Sequence, residues 1–377
     1  MSQQTVVVGM SGGVDSSVSA FLLKEQGYRV IGLFMKNWEE ENDSLFCPSN
    51  HDYQDVRRVC EQIDIPYYSV NFVKEYQTQV FSQFIEDFKK GLTPNPDILC
   101  NREIKFKVFL DKALELGADY LATGHYCQNE IKQGEHCLIK GFDLQKDQTY
   151  FLYTLNGPIL EKVLFPIGGL QKEKVREIAR LNHLATSEKK DSTGICFIGE
   201  RHFRTFLSQY VATQPGHFET LDGKIVGKHQ GAAYYTLGQR KGLGIGGAGD
   251  AWFVVGKEMN RAVVYVAQGR DHPALYCDEL TAFELSWVAG HPPLLPHRCQ
   301  SKIRYRQTDL PCVIEKITEG RAWITFPHPQ RAVTPGQSIV FYDGSICLGG
   351  GVIQQAGPSY YSQGKSLPCF ESTNQNR

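Results

Sequence analysis

The chain has 377 residues, more than one ordinary domain holds, so we expect two or three domains. Its composition, 41% hydrophobic and 21% charged, is typical of a globular protein and excludes a disordered or fibrous chain. The formal net charge of −1 gives no overall basic character, so any contact with nucleic acid must come from local patches.

The first residues and the cysteines of the sequence predict the cellular compartment of the protein. The first residues enter a strand-like pattern without a basic-then-apolar signal region, and no apolar run is long enough to span a membrane. Eleven cysteines are scattered along the chain and none forms a Cys-x-x-Cys pair, which argues against a zinc ribbon or a common iron–sulfur site. We therefore predict a cytoplasmic protein with reduced thiols, no membrane contact and no resident metal.

The first predicted element is a strand at 6–8, followed by a glycine-rich turn and a helix that ends before Gly27. Such a turn aims backbone N–H groups and a helix N-terminus at one point, where a phosphate or pyrophosphate binds. No Gly-Lys-Ser/Thr follows, so this is not a Walker A loop, and the glycine spacing is not that of a dinucleotide fingerprint. The predicted nucleotide-binding residues here are Gly9, Met10, Ser11, Gly12, Gly13, Val14, Asp15 and Ser16. Asp15 is also a candidate ligand for Mg²⁺ beside the phosphates.

The string Ser-Gly-Gly-Val-Asp-Ser-Ser resembles the PP-loop of enzymes that cleave ATP between its α- and β-phosphates and adenylate a substrate oxygen. After it, predicted strands alternate with predicted helices. The strands are at 28–34, 67–72 and 119–123, and the helices at 53–63, around 80–88 and at 102–116. This alternation predicts an α/β domain with a doubly wound parallel sheet, whose ligands bind beyond the carboxyl ends of the strands. Met35 and Gly124 follow strands at that edge and join the predicted nucleotide site.

The rest of the chain changes character. Residues 146–183 are predicted to be helical with polar breaks, 214–269 predict a small β-rich module, and 279–353 predict a β-barrel or sandwich. The expected organisation is a PP-loop domain at 1–205, a small central domain at 206–275, a C-terminal β-barrel at 276–360 and a polar tail at 361–377.

Two cysteines lie in polar loops. Cys100 follows a proline-containing segment and precedes a predicted helix, so its thiolate would be favoured by the helix N-terminus and by nearby basic residues. Cys196 lies in a polar, glycine-containing loop. Each alone is better explained as a small buried hydrophobe. Beside an adenylating loop, however, one thiol can carry a transferable sulfur and the other can resolve the resulting persulfide.

Together these motifs resemble the MnmA family of bacterial tRNA-specific 2-thiouridylases. They occur in the family's order and cover the chain to about Gly351. The motifs are the PP-loop, residues 95–103, 122–126, 146–148, 191–199, 235–243, 304–306 and 334–337. One departure is Cys127, where we expect a small apolar residue. The PP-loop domain of such a protein is expected to have an adenine nucleotide α-hydrolase-like fold.

The resemblance implies a mechanism. ATP binds the PP-loop, Met35 and Gly124, and the carbon-2 oxygen of the wobble uridine in tRNAs for Lys, Glu and Gln is adenylated. A persulfide on Cys196 supplies sulfur, and Cys100 acts as nucleophile, forming a disulfide with Cys196. A sulfur-relay protein fed by a cysteine desulfurase is the implied partner. Asp97 is a candidate general acid/base, and equally well an Asx-turn residue.

Contacts with tRNA are predicted from charge and from the resemblance. Residues 298–331 hold seven Lys/Arg against three Asp/Glu, a local net charge of +4, and 302–306 are predicted to form a strand with positive side chains on one face. From pattern alone, a solvated strand face is the better explanation. The resemblance places tRNA or base contacts at Asn95, Pro96, Asp97, His125, Lys146, Asp147, Gln148, Arg304, Tyr305 and Gln337. His125 by itself would more often be a hydrogen-bonded structural histidine.

Two other functions remain open at this stage. Another PP-loop ligase, such as an amidotransferase-type or argininosuccinate synthetase, would share the nucleotide site but does not need two loop thiols, and an N-terminal glutaminase cysteine is absent. A nucleotide-gated tRNA-binding protein without chemistry would bind ATP and tRNA yet release no pyrophosphate.

Overall fold

The computed structural model describes residues 3–39, 48–190 and 203–368. Cys196 and the predicted motif at 191–199 lie outside the described residues. No helix in the described parts of the chain is both long and apolar enough to cross a bilayer.

Strands and helices are numbered here in chain order over the described residues. The strands are β1 (Thr5–Met10), β2 (Arg29–Lys36), β3 (Tyr67–Asn71), β4 (Tyr120–Ala122), β5 (Cys127–Lys132), β6 (Glu135–Lys140), β7 (Val163–Leu164), β8 (Gly216–Glu219), β9 (Ile225–His229), β10 (Trp252–Glu258), β11 (Val263–Gln268), β12 (Tyr276–Trp287), β13 (His297–Lys302), β14 (Leu310–Thr318), β15 (Arg321–Arg331), β16 (Ser338–Asp343) and β17 (Ile346–Ala356). The α-helices are α1 (Val14–Glu25), α2 (Pro48–Gln62), α3 (Val73–Tyr76), α4 (Ser82–Lys89), α5 (Pro96–Leu99), α6 (Phe109–Glu115), α7 (Gly157–Leu160), α8 (Lys172–Leu181) and α9 (Phe203–Leu207). Two π-helical segments (Gln77–Phe81, Cys100–Val108) and three 3₁₀ turns (Thr149–Phe151, Ala232–Tyr234, Pro273–Leu275) complete the list.

The first sheet is parallel, with strand order β3-β2-β1-β4-β7. Its central strand β1 is fully buried at Val6, Val7 and Val8, as expected for a parallel strand covered by helices on both faces. Helix α2 turns Val56 and Val59 inward, as its apolar spacing predicts. The predicted doubly wound parallel sheet is therefore confirmed.

The prediction of a helical segment at 146–183 is wrong in part. The strand β7 lies inside it and pairs with β4, adding a fifth parallel strand to the sheet. The two-residue strand is too short to give a periodic signal, so its sheet partner rather than its own sequence determines its conformation.

A closed barrel forms the C-terminal part. The order β12-β15-β14-β13-β16-β17 is closed by pairing of β12 with β17, and the smaller sheet β10-β11-β8-β9 precedes it in the chain. The predicted β-rich central module and C-terminal barrel are thus confirmed. The hairpin β5–β6 of the first domain extends the barrel sheet through the pair β6–β17. This pairing anchors the barrel to the loop that follows β4.

One strand prediction in the barrel is wrong. Strand β13 ends at Lys302, and residues 303–306 form a turn in which Arg306 has a positive φ of 62°. The predicted positive strand face therefore does not form. Lys302 is buried, whereas Arg304 and Arg306 are exposed on the turn. The chain leaves the sheet here because the connection to β14 follows directly.

Candidate active site

The PP-loop turn is built by a glycine and by serine hydroxyls. Gly12 has a φ of +75°, and a Cβ at this position would lie 2.6 Å from the carbonyl oxygen of Asp52, so only glycine fits. Ser16 Oγ donates to the Gly13 carbonyl (3.1 Å) and accepts from the Ser11 N–H (3.2 Å). No side chain caps the N-terminus of α1, which begins directly after Gly13. Its first N–H groups therefore suit a phosphate.

Gly124 packs directly against the beginning of α1. A Cβ on Gly124 would lie 2.8 Å from the Ser16 nitrogen and 2.9 Å from the Asp15 carbonyl carbon. Met35 lies at the same edge of the sheet, one residue beyond Phe34, which pairs with Met10 of β1. The structure thus brings together the predicted nucleotide-binding residues from three separate parts of the sequence.

Asp15 has two partners that the sequence did not indicate. Lys172 Nζ lies 2.8 and 2.9 Å from the two carboxylate oxygens, and the Tyr126 hydroxyl donates to one of them at 2.7 Å. Lys172 lies on α8, 157 residues from Asp15, and its side chain is almost buried. It places a positive charge at the phosphate edge. No local pattern marks Lys172, because it begins an ordinary amphipathic helix.

The helix that carries Cys100 begins earlier than predicted. The Asn95 side chain accepts from the Asp97 N–H (3.1 Å) and caps α5, and Pro96 occupies its first turn. The helix continues through the π-helical segment into α6, with a kink at Phe106. Cys100 therefore lies a full turn inside the helix, and the prediction that it sits at a helix N-terminus is wrong. The Asn95 cap and Pro96 determine where this helix begins, whereas the apolar pattern used for the prediction starts several residues later.

Cys100 is 2% exposed and belongs to the main apolar core. Further along the same helix, the Phe106 ring lies 5.7 Å from the His125 ring, and the Phe109 ring lies beside Gly9. The helical segment that begins at Cys100 therefore leads, across the kink at Phe106, to residues that pack beside Gly9 and His125.

Asp97 is not the residue that makes the Asx turn, since Asn95 does so. Burial raises the pKa of the Asp97 carboxyl, and the positive charge of Lys105 opposes this shift. The Asp97 carboxyl thus lies about one helical turn from Cys100 and is shifted toward its protonated form.

His125 is held as a neutral imidazole. Its Nδ1 is hydrogen-bonded to Thr123 Oγ1 at 2.8 Å, and its ring packs against Phe106 and Phe165. Burial, together with the charge of Lys105, holds the pKa of His125 well below its ordinary value. The structural role that the residue type alone suggested is thus present, at the same edge as Gly124.

The turn at 146–148 is held in place by hydrogen bonds and an ion pair within the protein. Asp147 is 3% exposed, accepts from the N–H groups of Gly141 and Thr149, and forms an ion pair with Lys302 of the barrel at 3.2 Å. Gln148 Oε1 accepts from the Tyr126 N–H at 2.9 Å. Lys146 is half-buried. Since Tyr126 also donates to Asp15, this turn connects the PP-loop with the barrel.

The barrel residues predicted to contact tRNA lie against the segment around Cys100. The Tyr305 ring is 4.4 Å from the Phe151 ring, and the Phe151 carbonyl accepts from the Asn101 side chain at 3.0 Å. Exposed Arg304 donates to the Arg331 carbonyl at 3.1 Å. Partial burial and the neighbouring Arg331 lower the pKa of Arg304.

Gln337 joins the barrel to the loop that precedes α5. Its side-chain nitrogen donates to the Thr93 carbonyl at 2.7 Å, and the Thr93 N–H donates to the Pro335 carbonyl at 3.0 Å. A Cβ on Gly336 would lie 2.8 Å from the Thr93 nitrogen. The two loops therefore touch backbone to backbone, and they position Asn95 and Pro96.

Within the described residues, no group of three or more His, Cys, Asp or Glu side chains is placed to hold a metal ion. The one carboxylate at the PP-loop, that of Asp15, pairs with Lys172 through both oxygens, and several hydroxyls lie beside it. Mg²⁺ at this site would therefore be carried largely by the phosphates of a nucleotide.

Family models match the chain in three consecutive segments. Residues 4–200 match a tRNA methyl transferase HUP domain, 204–268 a tRNA methyl transferase PRC-barrel domain, and 277–353 an aminomethyltransferase beta-barrel domain. The first segment alone spans more than half of the chain.

Curated relatives match over nearly the full length. A protein of Protochlamydia amoebophila is 73% identical over 97% of this chain and 97% of its own length. A protein of Shouchella clausii is 58% identical over 93% of this chain and 96% of its own length. A protein of Bacillus subtilis is 56% identical over 96% of this chain and 97% of its own length. All three are named tRNA-specific 2-thiouridylase MnmA.

Proposed function

The chain belongs to the MnmA family of tRNA-specific 2-thiouridylases, and we propose that it replaces the carbon-2 oxygen of the wobble uridine by sulfur in an ATP-dependent reaction. One observation carries the proposal: a PP-loop lies at the carboxyl edge of a parallel sheet, and the kinked helical segment that carries Cys100 continues to Phe109, which packs beside Gly9 of that loop. The substrates proposed are tRNAs for Lys, Glu and Gln.

The PP-loop activates the oxygen. The uncapped N-terminus of α1 and the Ser11 and Ser16 hydroxyls bind the phosphates of ATP, and Gly124 and Met35 contact the nucleoside. Asp15 and the PP-loop hydroxyls would hold Mg²⁺ with the phosphates, where it supplies positive charge to the leaving pyrophosphate. Lys172 adds a fixed charge at the same edge. Attack of the uridine oxygen on the α-phosphorus releases pyrophosphate and leaves AMP on that oxygen.

Sulfur then replaces the activated oxygen. The terminal sulfur of a Cys196 persulfide attacks carbon 2, and AMP leaves with the oxygen. The Cys100 sulfur next attacks the Cys196 sulfur, so the persulfide bond breaks and its terminal sulfur stays on the uridine. The Cys100–Cys196 disulfide that results is reduced by a thiol reductant before the next turnover. A sulfur-relay protein reloads Cys196.

The burial of Cys100 has a consequence for this sequence of steps. At 2% exposure the thiol is shielded from the surface, so the uridine reaches it only if its surroundings move. We assign that movement to tRNA binding, which brings the base to the segment 95–100. Asp97, with its raised pKa, serves there as the group that exchanges a proton with the base.

The remaining predicted tRNA residues divide into two groups. Arg304 is exposed and Tyr305 is half-buried, so both are accessible to phosphate and base. Asp147, Gln148 and Gln337 are engaged in contacts within the protein, and we assign them the role of positioning the loops around the site. Two residues belong to neither group: Lys146 is on the turn at 146–148, and His125 directly follows Gly124.

A single-turnover assay tests the function. Wild-type protein bearing an isotopically labelled persulfide is mixed with Mg·ATP and tRNA with an unmodified wobble uridine, and both pyrophosphate and the modified nucleoside are measured. We expect tRNA-dependent pyrophosphate and labelled 2-thiouridine. Cys100→Ser and Cys196→Ser should still release pyrophosphate but form little thiouridine. Cys277→Ser, which changes a buried barrel cysteine outside the proposed site, should behave as wild type.

The outcomes separate the alternatives. A folded, ATP-binding wild type that releases no pyrophosphate with tRNA would show a binding protein without chemistry. Full activity of both Cys100→Ser and Cys196→Ser would favour a different PP-loop ligase. Pyrophosphate and the modified nucleoside are measured on the same reaction, so the two outcomes are distinguished.

A further inference from the structure

Two thiols face each other on neighbouring strands of the barrel. Cys299 on β13 and Cys312 on β14 are directly opposite in the antiparallel register, and their sulfur atoms are 3.6 Å apart. The mechanism proposed above uses neither residue. Other described thiols of the barrel, Cys277 and Cys347, lie opposite Gln330 and Leu138 and not opposite a cysteine.

The backbone at this position is compatible with a disulfide. Opposed residues of an antiparallel pair have Cα atoms about 4.5–5.5 Å apart. A disulfide requires Cα separations of about 4.4–6.8 Å. Because the two sulfurs are already in contact, only side-chain rotation and a small approach separate the dithiol from the bonded form.

We propose that Cys299 and Cys312 are a thiol-oxidation site, which forms a cross-strand disulfide on exposure to a hydroperoxide and thereby restrains the connection that carries Arg304 and Tyr305. The connection at 303–309 joins the two strands, and two residue pairs, Gln300–Pro311 and Ser301–Leu310, lie between it and the cysteines. The disulfide would link β13 to β14 close to the ends of this connection. It is distinct from the Cys100–Cys196 bond of the proposed sulfur transfer and does not depend on that proposal.

The oxidation balances with one equivalent of peroxide. The Cys312 thiolate attacks a peroxide oxygen, the O–O bond breaks, and Cys312 becomes a sulfenic acid while the peroxide leaves as water or an alcohol. The Cys299 sulfur then attacks the Cys312 sulfur, the S–O bond breaks, and water leaves with the Cys299 proton. Two thiols are oxidised by two electrons in total.

One hydrogen bond joins the two thiols, and either sulfur can be its donor. This bond lowers the pKa of Cys312 from its ordinary value despite burial, and raises the pKa of Cys299. These directions favour Cys312 as the thiol that reacts first with the peroxide. By contrast, burial raises the pKa of Cys277 to about 11 and the pKa of Cys347 to about 12. Cys299 is half-buried at the edge of the barrel core, where a small oxidant reaches the pair.

A Cys299–Cys312 disulfide would restrain the connection at 303–309, because both ends of that connection are already held by ion pairs. Lys302 at its beginning pairs with Asp147, and Asp309 at its end pairs with Lys140, so the connection is held at both ends by the first domain. Its middle carries Arg304, Tyr305 and Arg306, and Tyr305 packs on Phe151. Fixing Cys299 to Cys312 would reduce the freedom of the two strands to separate, and with it the freedom of this exposed turn.

The test uses the full-length wild-type protein, reduced and then treated with hydrogen peroxide. Free thiols are alkylated, and peptides are mapped without reduction by mass spectrometry. We expect a linked pair of peptides containing Cys299 and Cys312, lighter by two hydrogens than the free peptides. Amide hydrogen exchange at 303–309 should be severalfold slower in the oxidised protein than in the reduced protein. The peptide map distinguishes this bond from one between Cys100 and Cys196.

Controls follow from the register. Cys277→Ser should keep both the linkage and the slower exchange, whereas Cys299→Ser with Cys312→Ser should lose both. The proposal is overturned if peroxide leaves both thiols free, drives Cys312 to sulfinic acid without a linked peptide, or pairs either cysteine elsewhere. A Cys299–Cys312 linkage with unchanged exchange at 303–309 overturns the claim that the bond restrains the connection. The wild-type comparison decides these points even if the double variant does not fold.

Discussion

Replacing Gly124 by alanine should strain the beginning of α1 and weaken ATP binding. The added Cβ would lie 2.8 Å from the Ser16 nitrogen and 2.9 Å from the Asp15 carbonyl carbon. These are backbone atoms of the first helical turn, so no flexible side chain can move aside. Relief requires α1 and the loop after β4 to separate by roughly half an ångström, a movement that disturbs the PP-loop.

The expected cost is about 1–3 kcal/mol, as for overpacking of a close contact. It divides between two measurable quantities. If the free protein shifts to relieve the clash, ATP binding must restore the native position, and affinity falls by up to about 5- to 150-fold. If the free protein keeps its position, the folded state carries the strain, and the free energy of opening of α1 falls instead. The loss of ATP-binding free energy and the loss in the free energy of opening of α1 should together amount to about 1–3 kcal/mol.

Calorimetric titration with Mg·ATP measures the affinity, and amide exchange in α1 measures the free energy of opening. The matched control is Gly157→Ala, since a Cβ at Gly157 meets no atom within 4 Å. The control should leave both quantities near wild type. Wild-type affinity together with wild-type exchange in Gly124→Ala would refute the inference that Gly124 sets the position of the PP-loop.

Three further predictions concern the groups around this site. Lys302→Met leaves the buried Asp147 charge without its partner, so exchange in β13 should indicate a loss of about 3–5 kcal/mol. Burial raises the pKa of Asp97 above 3.8, so ionisation favours the unfolded chain. Asp97→Asn should therefore gain stability relative to wild type as the pH rises from 3.8 through the folded pKa, measured by exchange in α5 at each pH. Gln337→Leu removes the 2.7 Å bond to the Thr93 carbonyl, and should slow sulfur transfer at saturating tRNA more than it weakens tRNA binding.

Each of these predictions has a result that would contradict it. Lys112→Met, on an exposed ion pair, should cost no more than about 1 kcal/mol, and an equal loss in Lys302→Met would show that the buried pair is not special. A difference between Asp97→Asn and wild type that is constant with pH would contradict the raised pKa. A Gln337→Leu variant that binds tRNA poorly yet reacts normally at saturation would place Gln337 on the RNA.

The contacts of Tyr126 and Asp147 connect the PP-loop with the barrel. Tyr126 donates to Asp15 at the PP-loop and exchanges hydrogen bonds with Gln148, while Asp147 pairs with Lys302 at the root of the connection that carries Arg304. A change at the PP-loop therefore reaches the barrel through few side chains.

The local sequence predicted those features whose physics is local. A β-branched run followed by Gly12 and Gly13 specifies a buried strand, a tight turn and a helix N-terminus, because only glycine takes the positive φ beside Asp52. The alternation of strands and helices specified the parallel sheet, and the topology of such sheets placed Met35 and Gly124 at the PP-loop edge. The short turns of the C-terminal third predicted a β-barrel or sandwich, and the pairing of β12 with β17 closes it as a barrel.

Features that depend on partners distant in sequence were decided only by the tertiary structure. The strand β7 exists because β4 offers it a ladder, and Lys172 reaches Asp15 from 157 residues away. Lys302 is turned inward because the buried Asp147 carboxylate requires a cation, so the positive strand face predicted for 302–306 does not form.

Cys100 shows the division most clearly. Its residue type alone favoured a buried position, and the structure has it buried, but the core that covers it is assembled from several separate parts of the chain and could not be read from the local sequence. Local interactions determine which residues form a turn or a helix, since their partners are a few positions away. Burial, ion pairing and the facing of Cys299 and Cys312 are determined by which surfaces meet, and that is known only once the whole chain has folded.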